Sequence, residues 1–196
     1  MVSPDTAMNK HFSSMARQAF SFLSGAGFHL TQSGELQLRY EDAQVFVTVE
    51  WDSRSGELEV FLGLQSLKNQ AGGAFSLTDL LAMEGVYLTK HRMPFQVAEE
   101  GKLSSFLQKL AEEMQAHAQP ALAGDRMFFR RLETFRRTRA QTYMREMEHR
   151  RARMEADVAW RKRELDRVIA LYSSMEDHLT ASEKAKLAYA RQHQTR

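Results

Sequence analysis

Carboxylates crowd one short stretch of the chain. Glu50, Asp52, Glu57 and Glu59 lie close together, with Trp51 and Arg54 among them. Nucleases hold a divalent ion with carboxylates on adjacent strands, because a hard cation needs several oxygen ligands. The lysine such a site would also use does not follow in the expected place. The same residues then read as a solvated acidic face. Charges spaced along a hairpin can match a basic partner, and such matching raises the association rate more than the final affinity. On this reading Glu50, Trp51, Asp52, Arg54, Glu57 and Glu59 form a partner-binding surface.

Other candidate chemistry is sparse. Glu146-x-x-His149 matches half of a di-metal bundle motif, but such a bundle needs two copies and two further inward carboxylates. The surrounding arginines also oppose a cation, so no metal and no cofactor is expected. The histidines His11, His29, His91, His117, His149, His178 and His193 are scattered. No G-x-S-x-G elbow occurs. Ala71-Gly72-Gly73-Ala74 lacks the Lys-Ser/Thr that would make it a phosphate-cradling loop. With no cysteine in the chain, disulfides, thiolate metal sites and a Cys nucleophile are excluded. The expectation is a binding protein, not an enzyme.

A second charged region offers an alternative. From Arg130 to Arg167 the chain is rich in arginine, and Arg150, Arg151 and Arg153 are the natural candidates for phosphate contacts. Carboxylates are interleaved, and many fall at i,i+3 or i,i+4 spacing from an arginine, as Glu133 does from Arg137 and Glu146 from Arg150. That pattern suits a self-paired, solvated helix. The tail then reads as a scaffold or a dimer arm, with nucleic-acid binding as the alternative.

Elements of two periods must carry these residues. Phe12, Met15, Ala16, Ala19, Phe20 and Leu23, with Met8 before them, recur at helical spacing over residues 6–24, and Gly25-Ala26-Gly27 ends the helix. The period then becomes two. Leu36, Leu38 and Tyr40 form one set, Val45, Val47, Val49 and Trp51 a second, and Leu58, Val60, Leu62 and Leu64 a third. Phe28–Leu30 could add a short first strand. The short links between these sets predict an antiparallel meander, since parallel pairs need long crossovers. The first helix should cover the apolar face. Phe46, Thr48, Glu50, Glu57, Glu59 and Phe61 then fall on an opposite face that is solvated or partner-facing.

Residues 65–74 read as a polar loop, and Ser76-x-x-Asp79 as a cap opening a helix through Met83. Val86–Leu88 and Phe95–Val97 could each be a last strand or an extended link. Leu103, Phe106, Leu107, Leu110 and Met114 mark another helix, ending near Gln119-Pro120. After Gly124 the chain reads as helix throughout, opened by Asp125 and resumed at the Thr180-x-x-Glu183 capping box. No Pro or Gly follows Gly124, so any break must occur at a cap.

The 196 residues suit one compact domain plus an appendage. The formal net charge of +2 hides an asymmetry. Residues 1–120 hold 9 Lys and Arg against 14 Asp and Glu, a balance of −5, and residues 121–196 hold 18 against 11, a balance of +7. We therefore expect an α+β head over 1–120, an antiparallel sheet meander packed by helices, and a long helical C-terminal region over 121–196. Met1–Lys10 shows no apolar leader run, and no run of about 18 apolar residues exists. The expected location is cytoplasmic, with no membrane contact.

Two stretches carry resemblances. Phe20-Ser21-Phe22-Leu23-Ser24-Gly25-Ala26-Gly27-Phe28, with Val45–Asp52, Arg54–Leu58 and Phe75–Leu81, resembles small bacterial proteins of the toxin-immunity type. This implies an inhibitor that binds another protein, with no catalytic residues. Val168–Tyr172, Leu179–Glu183 and Lys186–Ala190 look like the end of a tetratricopeptide-type helical unit; only one unit fits, where about three make a free-standing solenoid. The resulting expectation is an immunity or antitoxin-like module that binds a partner protein such as a toxin. The alternatives are a nucleic-acid-associated factor and a secretion-chaperone-like effector binder, and the tail could support a homodimer.

Overall fold

The computed structural model describes residues 4–67, 72–86, 95–97 and 100–193; for residues 4–10, 95, 96 and 100 it describes the backbone alone. The possible strand at Tyr87–Leu88, the side chain of Met8, His91 and residues 68–71 of the polar loop lie outside that description. The chain divides into two compact units, Met1–Arg136 and Arg137–Arg196.

The first unit is α+β. Helix α1 (Pro4–Ala19) and the single turn α2 (Phe22–Gly25) precede a meander of β1 (His29–Ser33), β2 (Gln37–Glu41), β3 (Val45–Asp52), β4 (Glu57–Leu64) and β5 (Ala74–Ser76). All neighbours are antiparallel and in chain order. Helix α3 (Leu77–Met83) follows. A short β6 (Phe95–Gln96) pairs with β4 where Glu57 meets Gln96, on the side where β5 pairs farther along. Helices α4 (Glu100–His117) and α5 (Gln119–Leu122) complete the layer over the sheet.

Period-two alternation places the core. Leu38, Tyr40, Val45, Val47, Val49, Trp51, Leu58, Val60 and Leu62 are all buried in one cluster with Phe12, Ala16, Phe20 and Leu23 of the helical layer. The Phe12 ring stacks on Trp51 at 6.0 Å between centroids, a geometry that adds to simple area burial. Leu103, Leu107, Leu110 and Met114 of α4 join the same cluster.

Helix α6 (Arg126–Arg161) starts where Asp125 caps it, its Oδ1 accepting from the Met127 N–H at 2.8 Å. Its first turns belong to the first unit. Phe128, Phe129 and Leu132 are buried in the sheet's core, and Arg136 donates to the carbonyls of Gly72 and Ala74 at 2.6 and 2.9 Å. The compact first unit therefore runs past residue 120, where the charge balance changes.

The second unit has its own core, in which Ala156 and Ala159 of α6 meet α7 (Leu165–Ser173) and α8 (Ala181–Gln192) through Val168, Tyr172, Leu187 and Ala190. The break before α7 falls at Arg163, which takes φ 58°. The Glu164 N–H donates to the Ala159 carbonyl and the Arg163 N–H to that of Trp160. These are the two bonds of a Schellman cap, usually closed by glycine. Thr180 and Glu183 form the reciprocal capping box of α8.

Two outcomes follow. Val47 is fully buried, so Val47→Asp leaves an unpaired charge in the core and should cost roughly 3–5 kcal/mol in denaturant unfolding. Unchanged stability would refute the assignment of this face. Arg163→Gly removes a side chain from left-handed backbone and should stabilise the second unit by about 1 kcal/mol. A loss of stability would mean that the Arg163 side chain contributes more than its backbone costs.

Candidate functional site: the outer face of the sheet

Residues that alternate with the core set point the other way. Phe46, Thr48, Glu50 and Asp52 of β3 lie opposite Gly63, Phe61, Glu59 and Glu57 of β4, pair by pair. One end of this face is therefore aromatic and the other acidic.

The aromatic end is covered, contrary to the expectation of a solvated face. Phe46 and Thr48 are each 3% exposed. The Arg39 guanidinium lies 4.2 Å from the Phe46 ring centroid and pairs with Glu41 at 2.6 Å. The Phe46 ring also lies over Gly63. A Cβ there would meet Phe46 Cζ at 2.7 Å and the Gly73 carbonyl at 2.4 Å, so only glycine permits this approach.

The acidic end is open. Leu36, Gln37, Glu50, Trp51, Asp52, Glu57, Glu59 and Phe61 border a depression of about 310 Å³. Gln37 Nε2 donates to Glu50 Oε1 at 2.5 Å. Glu59 stands directly opposite Glu50, and among the described residues no donor or cation meets its carboxylate. Burial pushes the Glu59 carboxyl above its ordinary range, and the negative charges of Glu57, Asp79 and Glu50 push it further. Asp79 was missed as a member of this group because its spacing from Ser76 marks it as a cap residue. Its N–H does donate to Ser76 Oγ at 3.1 Å, but its charge acts on the same face. No sequence signal marked it, since the three residues of β5 that pair with β4 and bring the start of α3 beside it carry no period.

Asp52 has a different job. Its Oδ1 accepts from the backbone N–H groups of Arg54 at 2.8 Å and Ser55 at 3.4 Å, and the Arg54 N–H in particular holds its pKa down. It fixes the β3–β4 turn and leaves Arg54 exposed beside it. Trp51, expected within the binding surface, borders the same depression, but its ring is turned into the core. It shares parity with Val47 and Val49 and is 2% exposed, in the core. The face thus comprises Glu50, Glu57 and Glu59, with Asp79 beside them and Asp52 and Arg54 at the turn. Among the described residues no three His, Asp or Glu side chains are arranged to hold a metal ion.

The alternative phosphate-binding arginines are not equivalent. Arg153 is committed within the second unit, donating to Glu183 at 3.0 Å and to the His178 carbonyl at 2.6 Å. Arg151 pairs with Glu155 at 3.0 Å. Arg150 has no partner among the described residues, and the expected pairs Glu146–Arg150 and Glu133–Arg137 are not formed. The His149 ring lies 4.7 Å from the His178 ring, tilted by 38°, and shares no cluster with Glu146.

No protein-family model, curated protein or solved structure matches this chain. Among the described residues no helix is long and apolar enough to cross a membrane.

The raised Glu59 carboxyl gives a signed pH dependence. The folded state binds this proton more tightly than the unfolded state, so its contribution favours folding at low pH and is lost as pH rises through the folded pKa. Glu59→Gln should therefore stabilise the protein at neutral pH, because like charges set directly opposite across strands are destabilising. The gain should vanish below the ordinary glutamate range near pH ~4.3. Urea unfolding at both pH values reads this, and a loss of stability at neutral pH would contradict it.

Proposed function

We propose that this chain is a non-catalytic protein-binding module of the immunity or antitoxin kind, and that its acidic sheet face meets a basic surface of the partner. The observation that carries the reading is the unneutralised trio Glu50, Glu57 and Glu59. Glu50 and Glu59 face each other across two paired strands, with no cation among the described residues between them. Like charges so placed cost stability, and a cationic partner would relieve that cost on binding. Rigid strands hold the carboxylates at fixed spacing, which suits complementarity with a preformed surface.

The arginines of the second unit serve this reading as structure. Arg153 ties α6 to the start of α8 through Glu183, and Lys186 ties α8 back to Asp157 at 2.8 Å. Burial raises the Glu183 carboxyl, but the Thr180 N–H and the Arg153 charge outweigh it and hold the group below its ordinary range.

Capture of partners from the native host tests the proposal when wild type is compared with Glu57→Lys/Glu59→Lys. The expected result is a basic protein retained by wild type and lost with the reversed charges. Its association should slow about tenfold at low salt and little at high salt, because exposed charges are screened beyond roughly 10 Å at 0.1 M. Arg150→Gln/Arg151→Gln should leave it bound. If the arginine changes abolish capture while the glutamate reversals are silent, and salt-labile nucleic acid copurifies, the acidic-face reading fails and the nucleic-acid reading replaces it.

A further inference from the structure

Helix α6 carries a second surface. At about 100° per residue, Ala152, Ala156 and Ala159 share the side that packs into the second unit's core. Tyr143, Met147, Met154 and Val158 fall on the far side of the helix and are 60, 40, 60 and 42% exposed. They recur at three- and four-residue multiples over about four turns. Large apolar groups aligned in this way on the surface mark an interaction site more often than chance exposure does.

The charges within the stripe are all of one sign. Arg150 and Arg161 lie in it, and Arg151 borders it. Arg161 Nε donates only to the Asp157 carbonyl, at 3.2 Å, and Arg150 meets no carboxylate among the described residues. Two uncompensated cations interrupt four apolar side chains along one helical line. The complement of that line is an apolar stripe interrupted by carboxylates.

We infer that this face of α6 docks an acidic amphipathic helix of a partner protein, with apolar side chains against Tyr143, Met147, Met154 and Val158 and carboxylates over Arg150 and Arg161. A helix laid along a helix matches this geometry by the usual i, i+3, i+4, i+7 anchors. A second copy of the chain fits poorly. Two-fold pairing of the stripe on itself, in either direction, brings Arg150 close to the other copy's arginines, and like charges at an interface are repelled. A polyanionic surface also fits poorly. Glu146, Glu148 and Asp157 flank the stripe, so a nucleic acid or an anionic membrane would meet carboxylates on both sides, whereas a helix can place its own carboxylates over the two arginines alone.

The test uses the full chain and two synthetic amphipathic helical peptides that share a leucine stripe. One carries glutamates beside the stripe and the other lysines. Fluorescence anisotropy should show the glutamate peptide binding and the lysine peptide not. Met147→Ser/Met154→Ser should weaken binding on the order of tenfold or more, and Arg150→Glu should do the same by charge alone. Both variants alter exposed positions, and unchanged far-UV circular dichroism confirms that the helix persists. Equal binding of the two peptides, no binding of either, or binding indifferent to the variants overturns the inference. So does concentration-dependent self-association in sedimentation that Met147→Ser/Met154→Ser abolishes, which would make the second copy the occupant. Preferential binding of phosphatidylserine vesicles or of RNA, lost in Arg150→Glu, overturns it as well. The two peptides are compared in the Glu57→Gln/Glu59→Gln background, where the acidic sheet face no longer attracts the lysine peptide, so the two surfaces stand or fall separately.

Discussion

The β3–β4 register is the constraint on which the first unit depends. Side chains alternate along a strand, so a one-residue slip of β4 against β3 would turn β4 over, burying Glu59 and exposing Val60. The turn prevents it. Asp52 accepts from Arg54 and Ser55, the Gly56 N–H donates to the Asp52 carbonyl at 2.7 Å, and Gly56 adopts φ 72°, a region that costs most other residues. The Val97 N–H then donates to the Gly56 carbonyl at 2.7 Å. A polar turn thereby decides where the apolar and acidic sets point. The apolar set closes a core with α1 and α4, and the acidic set is left as a surface of concentrated charge.

That charge is tolerated because the neighbouring half of the same face is strongly stabilised. Phe46 is sandwiched between Arg39 and the flat backbone at Gly63, so one end of the outer face is packed almost like an interior. The other end retains carboxylates that repel one another. Stability held in one half and strain in the other is the arrangement expected where a protein keeps a surface for something else. The second unit follows similar logic with a different element: one side of α6 is committed to α7 and α8, while the opposite side keeps its methionines, its tyrosine and its unpaired arginines in solvent.

Much of this was legible in the sequence, and the reasons are local. Clean alternation in Val45–Trp51 and Leu58–Leu64 fixed the central strands and their buried faces, and the caps at Asp125 and Thr180 fixed two helix starts. What failed was non-local. Strand β5 was not foreseen: it falls across the end of the stretch read as loop and the Ser76 cap, and three residues carry no period. Phe46 and Thr48 were read as solvated or partner-facing, and their cover was not foreseen because it comes from Arg39 on another strand and from a glycine whose lack of a side chain leaves no pattern. The break at Arg163 was invisible in residue type, since it uses left-handed backbone without glycine. Trp51 was placed both in the core and on the binding surface, and only parity with Val47 and Val49 decides between them. The ion pairs Glu146–Arg150 and Glu133–Arg137 satisfied spacing alone, and exposed pairs of this kind gain too little to form reliably.

The central claim is that Glu59 stands in an acidic cluster with no cation among the described residues to neutralise it. Carbon-13 NMR of the glutamate side-chain carboxyls across a pH titration measures this directly. The account predicts that the Glu59 resonance titrates above the ordinary glutamate range and moves back toward it in Glu57→Gln. A Glu59 titration at or below the ordinary range, unmoved by Glu57→Gln, would show a neutralised carboxylate and contradict the account.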